Sequence, residues 1–372
     1  MILQLLREWP PGYGGIERVA HELGNVWGGM VFSLDAKPNC HCGDPDPLPV
    51  RYRRQQLPRL ALGRLMVPWP SQTLWRLLKT TEPLHGHLPS PGVLLVLLVA
   101  RLLQPHRQIT AHWHCFLKCP PSFAGCLFRL YQYAALLIIP YLSGVVTTSP
   151  LLANELERSG CPPGHIEVLP CCLPIEQERV TTLLPLRQAN VNNPLQILFI
   201  GRLGSYKRLD WLLEALATLS ASWHLDVVGD GPRRVSFYEL AKQLFGPRVP
   251  VTFHGRLDEV AKLCCLAAAE ILVLPSDSSN EAFGIVQLEA MAAGLPTLAF
   301  NHPRSGMGWV GRLPGLAWSQ RPEDLALILQ SLASNPALRT KLSYRARSRY
   351  NRLFARPVWH WRLNKIFPVP HP

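Results

Sequence analysis

Two carboxylates stand eight residues apart in the stretch EAFGIVQLE: Glu281 and Glu289, with Phe283-Gly284 between them. The apolar run ILVLPSDSSN precedes them, and the small-residue run EAMAAGLP continues from Glu289. This order predicts a buried strand, a loop carrying Glu281, a Phe-Gly turn, and a helix from about Gly284 to Ala293 carrying Glu289. A helix start offers unpaired N–H groups and the positive end of a dipole, which suits a phosphate. Carboxylates on either side of that phosphate could hold hydroxyl groups. A sugar, its phosphates and a ribose laid across one helix start would need this arrangement. An ordinary strand–loop–helix with two surface glutamates has the same pattern.

Three more groups could share that chemistry. Arg202 and Lys207 flank the turn GRLGSYKRLD, five residues apart. Two fixed cations suit a diphosphate, the arginine as a two-pronged fork and the lysine as a point charge. Gly14-Gly15 ends the loop WPPGYGG after a first apolar strand. Glycines there let the backbone approach a phosphate or sugar, and they also make a tight strand-to-helix turn. The spacing is not G-x-G-x-x-G, so a dinucleotide fingerprint is absent. His114 falls at the carboxyl end of a predicted strand, the edge of an open α/β sheet where ligands bind. It could be an acid, a base, a donor to an acceptor oxygen, or a core histidine. No Asp-x-Asp pair follows a strand, so no metal clamp is expected, and the cations could replace one.

The elements that must position these groups follow from length and pattern. A chain of 372 residues, 48% hydrophobic, suggests about two domains with ample core. Ile2–Leu6 reads as a first strand, and an amphipathic helix starts at Ile16. Ile109–His114 and Gly144–Thr148 read as strands, and Ser149 as the N-cap of a helix. The stretch from Cys171 to Pro194 has no clear period and reads as the inter-domain linker. QILFIGRL, HLDVVGDGP, VTFHGRL, ILVLPS and Thr297–Phe300 then read as strands alternating with helices. Alternation of this kind means parallel sheets covered on both faces. The fold class expected is α/β, two Rossmann-like domains with parallel sheets facing a central cleft. The expected domains are 1–180 and 190–349, with a tail at 350–372 packing back on the first.

Charge and cysteines set further bounds. Lys+Arg number 38 against 25 Asp+Glu, a net charge of +13. That favours anionic partners. No zinc-finger spacing or basic-aromatic signature appears, so nucleic acid is not expected. Arg51, Arg53, Arg54, Arg59, Arg64, Arg76 and Lys79 lie in one stretch, 51–79, without an acidic residue, among Trp69, Leu74, Trp75, Leu77 and Leu78. Such a stretch suits an anionic membrane surface, or a solvated basic face over a core helix. The apolar runs Val93–Val99 and Ala134–Pro140 are far short of the roughly 20 residues of a membrane span. MILQLLREWPPGYGG lacks the basic start and cleavage site of a signal peptide. The expectation is a cytoplasmic chain, soluble or peripheral on the inner face of the plasma membrane. Ten cysteines include vicinal Cys171-Cys172 and Cys264-Cys265, and Cys40 and Cys42 around His41. Cys115 and Cys119 near His112 and His114 would admit zinc, but no second pair stands at ligand spacing; reduced thiols and no metal are expected.

With these residues in view, the chain resembles the family 4 glycosyltransferases, retaining enzymes of GT-B fold also grouped as group 1 glycosyl transferases. The matching pieces are GYGGIERV, FIGRLGSYKRLDWLLEAL, VVGDGP, VTFHGRL and LPSDSSNEAFGIVQLEAMAAGLP, in that order. HGHLPSP and AHWHCFL look like acceptor-side segments of bacterial cell-surface polysaccharide transferases. The resemblance implies that Arg202 and Lys207 bind the donor diphosphate and that Glu281 contacts donor-sugar hydroxyls. It implies that Phe283, Gly284 and Ile285 shape the phosphate turn and that Glu289 holds the ribose. Gly14 and Gly15 would let the first domain approach the donor phosphates, with Glu17 in the same motif, and His114 would lie near the transferred sugar. It implies a UDP- or GDP-linked sugar as substrate, a glycan or lipid-linked acceptor, and neither NAD nor a metal. The sequence departs from the pattern at Pro170-Cys171-Cys172, at Cys115-Phe116 and past Val310. Two other functions fit the same features: a sugar-nucleotide 2-epimerase, and a non-catalytic sugar-binding protein built on a decayed transferase.

Overall fold

The computed structural model describes residues 1–9, 14–35, 50–62, 65–189, 193–246, 249–319 and 321–368. Cys40, His41, Cys42 and Arg64 lie outside the described residues. The chain divides into two compact units, Met1–Pro170 and Cys171–Pro372.

The first unit runs β1 (Leu3–Leu6), α1 (Gly15–Trp27), β2 (Met30–Ser33), β3 (Arg53–Gln56), β4 (Arg59–Leu62), β5 (Leu65–Pro68) and α2 (Gln72–Lys79). It continues through β6 (Leu84–Leu88), α3 (Pro91–Leu103), β7 (Ile109–Trp113), α4 (Phe123–Ile138), β8 (Gly144–Thr147), α5 (Pro150–Arg158) and β9 (Ile166–Val168). Seven strands pair in parallel in the order β3-β2-β1-β6-β7-β8-β9. The central strands β1, β6 and β7 are buried at every residue, as a sheet covered on both faces requires. Ser149 caps α5, its hydroxyl accepting from the Leu152 N–H at 3.3 Å, and Pro150 opens the helix.

The basic stretch is less uniform than its composition predicts. It supplies an edge strand of the sheet (β3), the antiparallel hairpin β4–β5 and the helix α2. Pro58, Gly63, Pro68 and Pro70 punctuate it, and α2 follows the last of them. The apolar run ending at Pro140 is likewise part of something longer. Helix α4 and the turn after it form one segment, Phe123–Tyr141, long and apolar enough to cross a membrane by length and composition, and mostly exposed.

The second unit runs α6 (Ile175–Thr182), β10 (Leu195–Ile200), α7 (Leu209–Ala217), β11 (Trp223–Val228), α8 (Arg234–Phe245), β12 (Val251–Gly255) and α9 (Glu259–Ala268). Then come β13 (Ile271–Leu274), α10 (Val286–Ala292), β14 (Thr297–Ala299), α11 (Met307–Val310), α12 (Asp324–Ala333), α13 (Pro336–Leu353) and α14 (Arg356–Ile366). Its five parallel strands lie in the order β12-β11-β10-β13-β14. One core cluster joins Leu198 and Ile200 of β10, Leu272 of β13, Leu266 of α9 and Ala290 of α10.

The predicted linker from Cys171 holds a helix, α6, and lies in the second unit. The polar sequence IEQERVTT hid it. Glu176 and Arg179 are exposed, Glu178 is half-buried, and only Thr181 is buried. The tail α14 is tied to the same segment. Arg356 donates its backbone N–H to Glu178 Oε1 at 3.0 Å and a guanidinium N–H to the Leu173 carbonyl at 2.7 Å.

Candidate active site

In both sheets the strand order reverses beside the first strand of the unit. In the second unit β10 has β11 on one side and β13 on the other. The register pairs Ile197 with Ile271 and Leu198 with Leu272. The loops that leave the carboxyl ends of β10 and β13 are therefore neighbours. Brought together there, side chains 74 residues apart in sequence meet: Lys207 Nζ and Glu281 Oε2 form a short charge-assisted hydrogen bond. Both side chains are nearly buried, 9% and 14% exposed.

Backbone contacts hold this pair in place. Gly201 carries no Cβ, so the Lys207 stem lies against it; a Cβ would sit 3.3 Å from Lys207 Cε. The Gly-Asp-Gly-Pro turn after β11 interlocks with the β10 loop. Leu203 N–H donates to the Asp230 carbonyl at 2.9 Å, and a Cβ on Gly229 would fall 2.0 Å from the Gly201 carbonyl oxygen. Gly229 also has φ +135°, a region that favours glycine. On the other loop, the Gly306 N–H donates to the Ala282 carbonyl at 2.7 Å and the Ser305 hydroxyl to the Glu281 carbonyl. Arg208 joins the two loops. Its guanidinium grips Asp210 through Nε and Nη2 (2.7 Å) and reaches Asp277 at 3.2 Å, lying 4.2 Å over the Trp211 ring. It does so from a left-handed backbone, φ +43°, which costs a non-glycine residue about 1–2 kcal/mol. Sequence reasoning missed Arg208; its signal was the acidic residue two positions on.

The other predicted residues fall around this pair. Arg202 is exposed and has no ion pair among the described residues. Phe283 is buried edge-on against Phe354, centroids 6.0 Å apart. Gly284 has φ +72°, and a Cβ there would meet Leu274 Cδ2 at 2.5 Å. The helix predicted from Gly284 starts later: Ile285 is its cap and α10 is only the seven residues Val286–Ala292. A helix this short carries little macrodipole. Every residue of α10 after Val286 is buried. Glu289 is therefore 2% exposed, and its carboxylate is met by Lys262 of α9 at 3.0 Å. Burial alone would lower the Lys262 ammonium, but Glu289 and Glu259 outweigh it and hold its pKa above the ordinary lysine value. Lys262 was the second residue missed. It is the basic residue of a helix otherwise apolar after its first turn.

In the first unit, Gly14 caps α1 and Gly15 opens it. The Glu17 carboxylate folds back on Gly14, where a Cβ would lie 2.1 Å from Glu17 Oε2. Glu17 is 7% exposed; burial pushes its pKa up, against hydrogen bonds from its own and the Gly14 backbone that pull it down. His114 follows β7, its N–H donating to the Leu88 carbonyl at 3.0 Å. Its Nε2 lies 2.9 Å from His87 Nδ1, and His87 Nε2 lies 3.0 Å from Gln4 Oε1. The His114 ring stacks on His112, centroids 4.2 Å apart. Burial, reinforced by neighbouring imidazoles, keeps His114 well below the ordinary histidine pKa and so neutral near pH 7. All eight described cysteines are free thiols, and burial pushes the Cys115 thiol up to about 12.

Comparison with known proteins extends this. Residues 13–177 match the model of Glycosyltransferase Family 4, and residues 186–349 that of Glycosyl transferases group 1. The D-rhamnosyltransferase WbpZ of Pseudomonas aeruginosa is 30% identical over 164 residues, 43% of this chain and 42% of that protein. The chain spans about half the length of the curated relatives it matches. Anabaena HepE, solved with UDP, superposes with a TM-score of 0.74 over 98% of both chains at 17% identity; it is also solved with UDP-glucose. The lipopolysaccharide outer core galactosyltransferase WaaB superposes with a TM-score of 0.70 over 99% of both chains, also at 17% identity. With both models matched in order along one chain and both sheets built as the fold demands, the protein belongs to the glycosyltransferases of GT-B fold, a family 4 first half followed by a group 1 second half.

Proposed function

We propose that the protein is a retaining glycosyltransferase that moves a sugar from a UDP- or GDP-sugar to an acceptor hydroxyl, in the synthesis of a cell-surface polysaccharide or glycolipid. The observation that carries the reading is the Lys207–Glu281 pair at the carboxyl ends of β10 and β13, with Glu289 on the helix that follows. In the reaction the bond from the anomeric carbon to the diphosphate oxygen breaks and a bond to the acceptor oxygen forms. Positive charge grows on the sugar ring and negative charge on the leaving diphosphate. Arg202 and Lys207 are assigned to that diphosphate. Lys207 has three N–H donors and spends one on Glu281, so it can bridge sugar-side carboxylate and phosphate. Glu281 is assigned to donor-sugar hydroxyls, Glu289 to the ribose, and Phe283, Gly284 and Ile285 to the turn between. The acceptor proton passes to the leaving phosphate oxygen on the same face, so no protein base is required and no metal is needed for charge neutralisation. In the first unit, Gly14 and Gly15 are assigned to a close backbone approach to the donor phosphates, Glu17 to the same loop motif, and His114 to a place near the transferred sugar. HepE, whose complexes with UDP and UDP-glucose share this fold, supports a uridine donor. WaaB, a lipopolysaccharide outer core galactosyltransferase of the same fold, is in keeping with a glycan or lipid-linked acceptor.

The test is nucleotide release from UDP-, GDP- and ADP-sugars with a lipid-linked acceptor pool. One donor should release its nucleotide in an acceptor-dependent way, and Glu281→Ala should abolish this while the protein still folds. No release from any donor sinks the transferase reading and leaves a sugar-binding protein; interconversion of the sugar nucleotide without an acceptor would mark an epimerase.

A further inference from the structure

Two His-x-His pairs lie on neighbouring parallel strands, His85 and His87 on β6, His112 and His114 across the end of β7. Alternate strand residues share a face, and the register sets His87 beside His112 and Gln4 beside His85. Four imidazoles and one amide therefore crowd one face of the sheet, with Trp27 of α1 edge-on against His85 at 5.4 Å. His85, His87 and His112 are at most 1% exposed.

Hydrogen bonding alone does not account for the cluster. His112 Nε2 is buried with no partner among the described residues. A buried polar atom is ordinarily partnered in a folded protein. The geometry points to a ligand set: we propose that His85, His87 and His112 form a binding site for one zinc-class divalent transition-metal ion, inside the first unit. One nitrogen from each ring lies within 4.8 Å of the other two. His85 Nε2 and His112 Nδ1 are 3.3 Å apart; two nitrogens on a tetrahedral zinc, each at 2.0–2.1 Å, would be about 3.4 Å apart. The ring centroids form a near-equilateral triangle of 5.1, 5.5 and 5.6 Å. Three imidazoles around such an ion would have centroids about 5.2 Å apart.

Two of the three outer nitrogens have the partners that orient ligating imidazoles, and His112 Nε2 is the third. Thr110 Oγ1 lies 2.8 Å from His85 Nδ1, and Gln4 Oε1 lies 3.0 Å from His87 Nε2. A proton on His87 Nε2 leaves a lone pair on Nδ1, which lies 2.9 Å from His114 Nε2 and would exchange that contact for the ion. An all-imidazole set selects zinc, cobalt, nickel or copper over magnesium and calcium, which take oxygen ligands. No cysteine joins the set among the described residues; Cys119 Sγ instead contacts the Leu117 carbonyl at 3.5 Å. The ion would tie β6 to β7, and through Gln4 to β1.

Cobalt titration of the full chain, free of any polyhistidine tag, tests this without using turnover, so its outcome is independent of the transferase reading. The expected result is one cobalt ion per chain with visible d–d bands, no thiolate charge-transfer band, displacement by zinc, and a raised melting temperature. His85→Gln, which keeps an amide for Thr110, and His112→Asn should each weaken binding at least tenfold. If one variant fails to fold without metal, the other is decisive. No uptake by the wild type, a thiolate band, or unchanged affinity in the folded variants overturns the site.

Discussion

Lys207 and Glu281 form a nearly buried pair at the site to which the proposed function assigns the donor. Each side chain is almost buried, so truncating one strands the other's charge at a cost of about 3 kcal/mol. Replacing both with apolar residues removes that penalty. A double-mutant cycle of Lys207→Met and Glu281→Leu, followed by chemical denaturation, should give a coupling energy of about 2 kcal/mol. Additive single effects would show that the pair is not formed in solution. The milder Glu281→Gln keeps a hydrogen bond to Lys207, so it should fold normally while turnover falls roughly 100-fold. Glu17 makes the opposite case, a charge whose burial opposes folding. Its pKa is raised in the folded state by desolvation. The folded form thus favours the protonated acid, and the stability this contributes is present below the unfolded carboxyl pKa and lost as pH rises through the folded value. Glu17→Gln should therefore raise the melting temperature at pH 7, and the gain should vanish near pH 4. A gain independent of pH would mean that Glu17 is not buried as a charge.

The elements were legible to different degrees, for physical reasons. Strands such as LQILFI and ILVL were plain because a strand covered on both faces must be an unbroken apolar run. Helix α6 was not, because only one of its residues is buried and its sequence has no apolar stripe. The start of α10 was misplaced because Gly284 continues the helical composition but has φ +72°, which no helix contains. The histidines were visible singly, yet their convergence depends on the β6–β7 register. Glycines at loop crossings set the precision of the site. Gly229→Ala would drive a Cβ into the Gly201 carbonyl at 2.0 Å from an unfavourable φ. It should cost at least about 3 kcal/mol, or separate the two loops enough to abolish donor binding. Calorimetry with and without UDP measures both; wild-type melting and an unchanged shift with UDP would show that the interlock is dispensable.

At the scale of the molecule, the first unit carries two features that suit a membrane surface, a basic stretch and an exposed apolar helix face. Arg51, Arg53, Arg76 and Lys79 are exposed in the stretch 51–79, alongside Trp69 and Trp75. Helix α4 adds Phe123, Leu127, Leu130, Tyr133 and Leu137, each more than half exposed. A contiguous apolar face of that kind is unusual on a free protein surface, and cations with exposed tryptophans suit anionic headgroups. Flotation with vesicles should recover more protein with anionic than with neutral lipid, and 0.5 M salt, about 4 Å of screening length, should remove the difference. Equal recovery would dispose of the basic stretch as a membrane contact. Leu127→Glu with Leu130→Glu should weaken flotation in both lipids if α4 inserts.

The sequence by itself determined the fold class and the residues that could do the chemistry. Apolar periodicity and strand-ending glycines depend on short-range sterics and burial, and these can be read locally. Glu281, Glu289, Arg202 and Lys207 were singled out by type and spacing alone. The partners were decided only by the tertiary structure. Lys207 meets Glu281 because β10 and β13 pair, Glu289 needs Lys262 because α10 is buried on all sides, and four histidines face one another because two strands share a register. Which charges neutralise one another depends on distance in space, and chain separation carries no record of it.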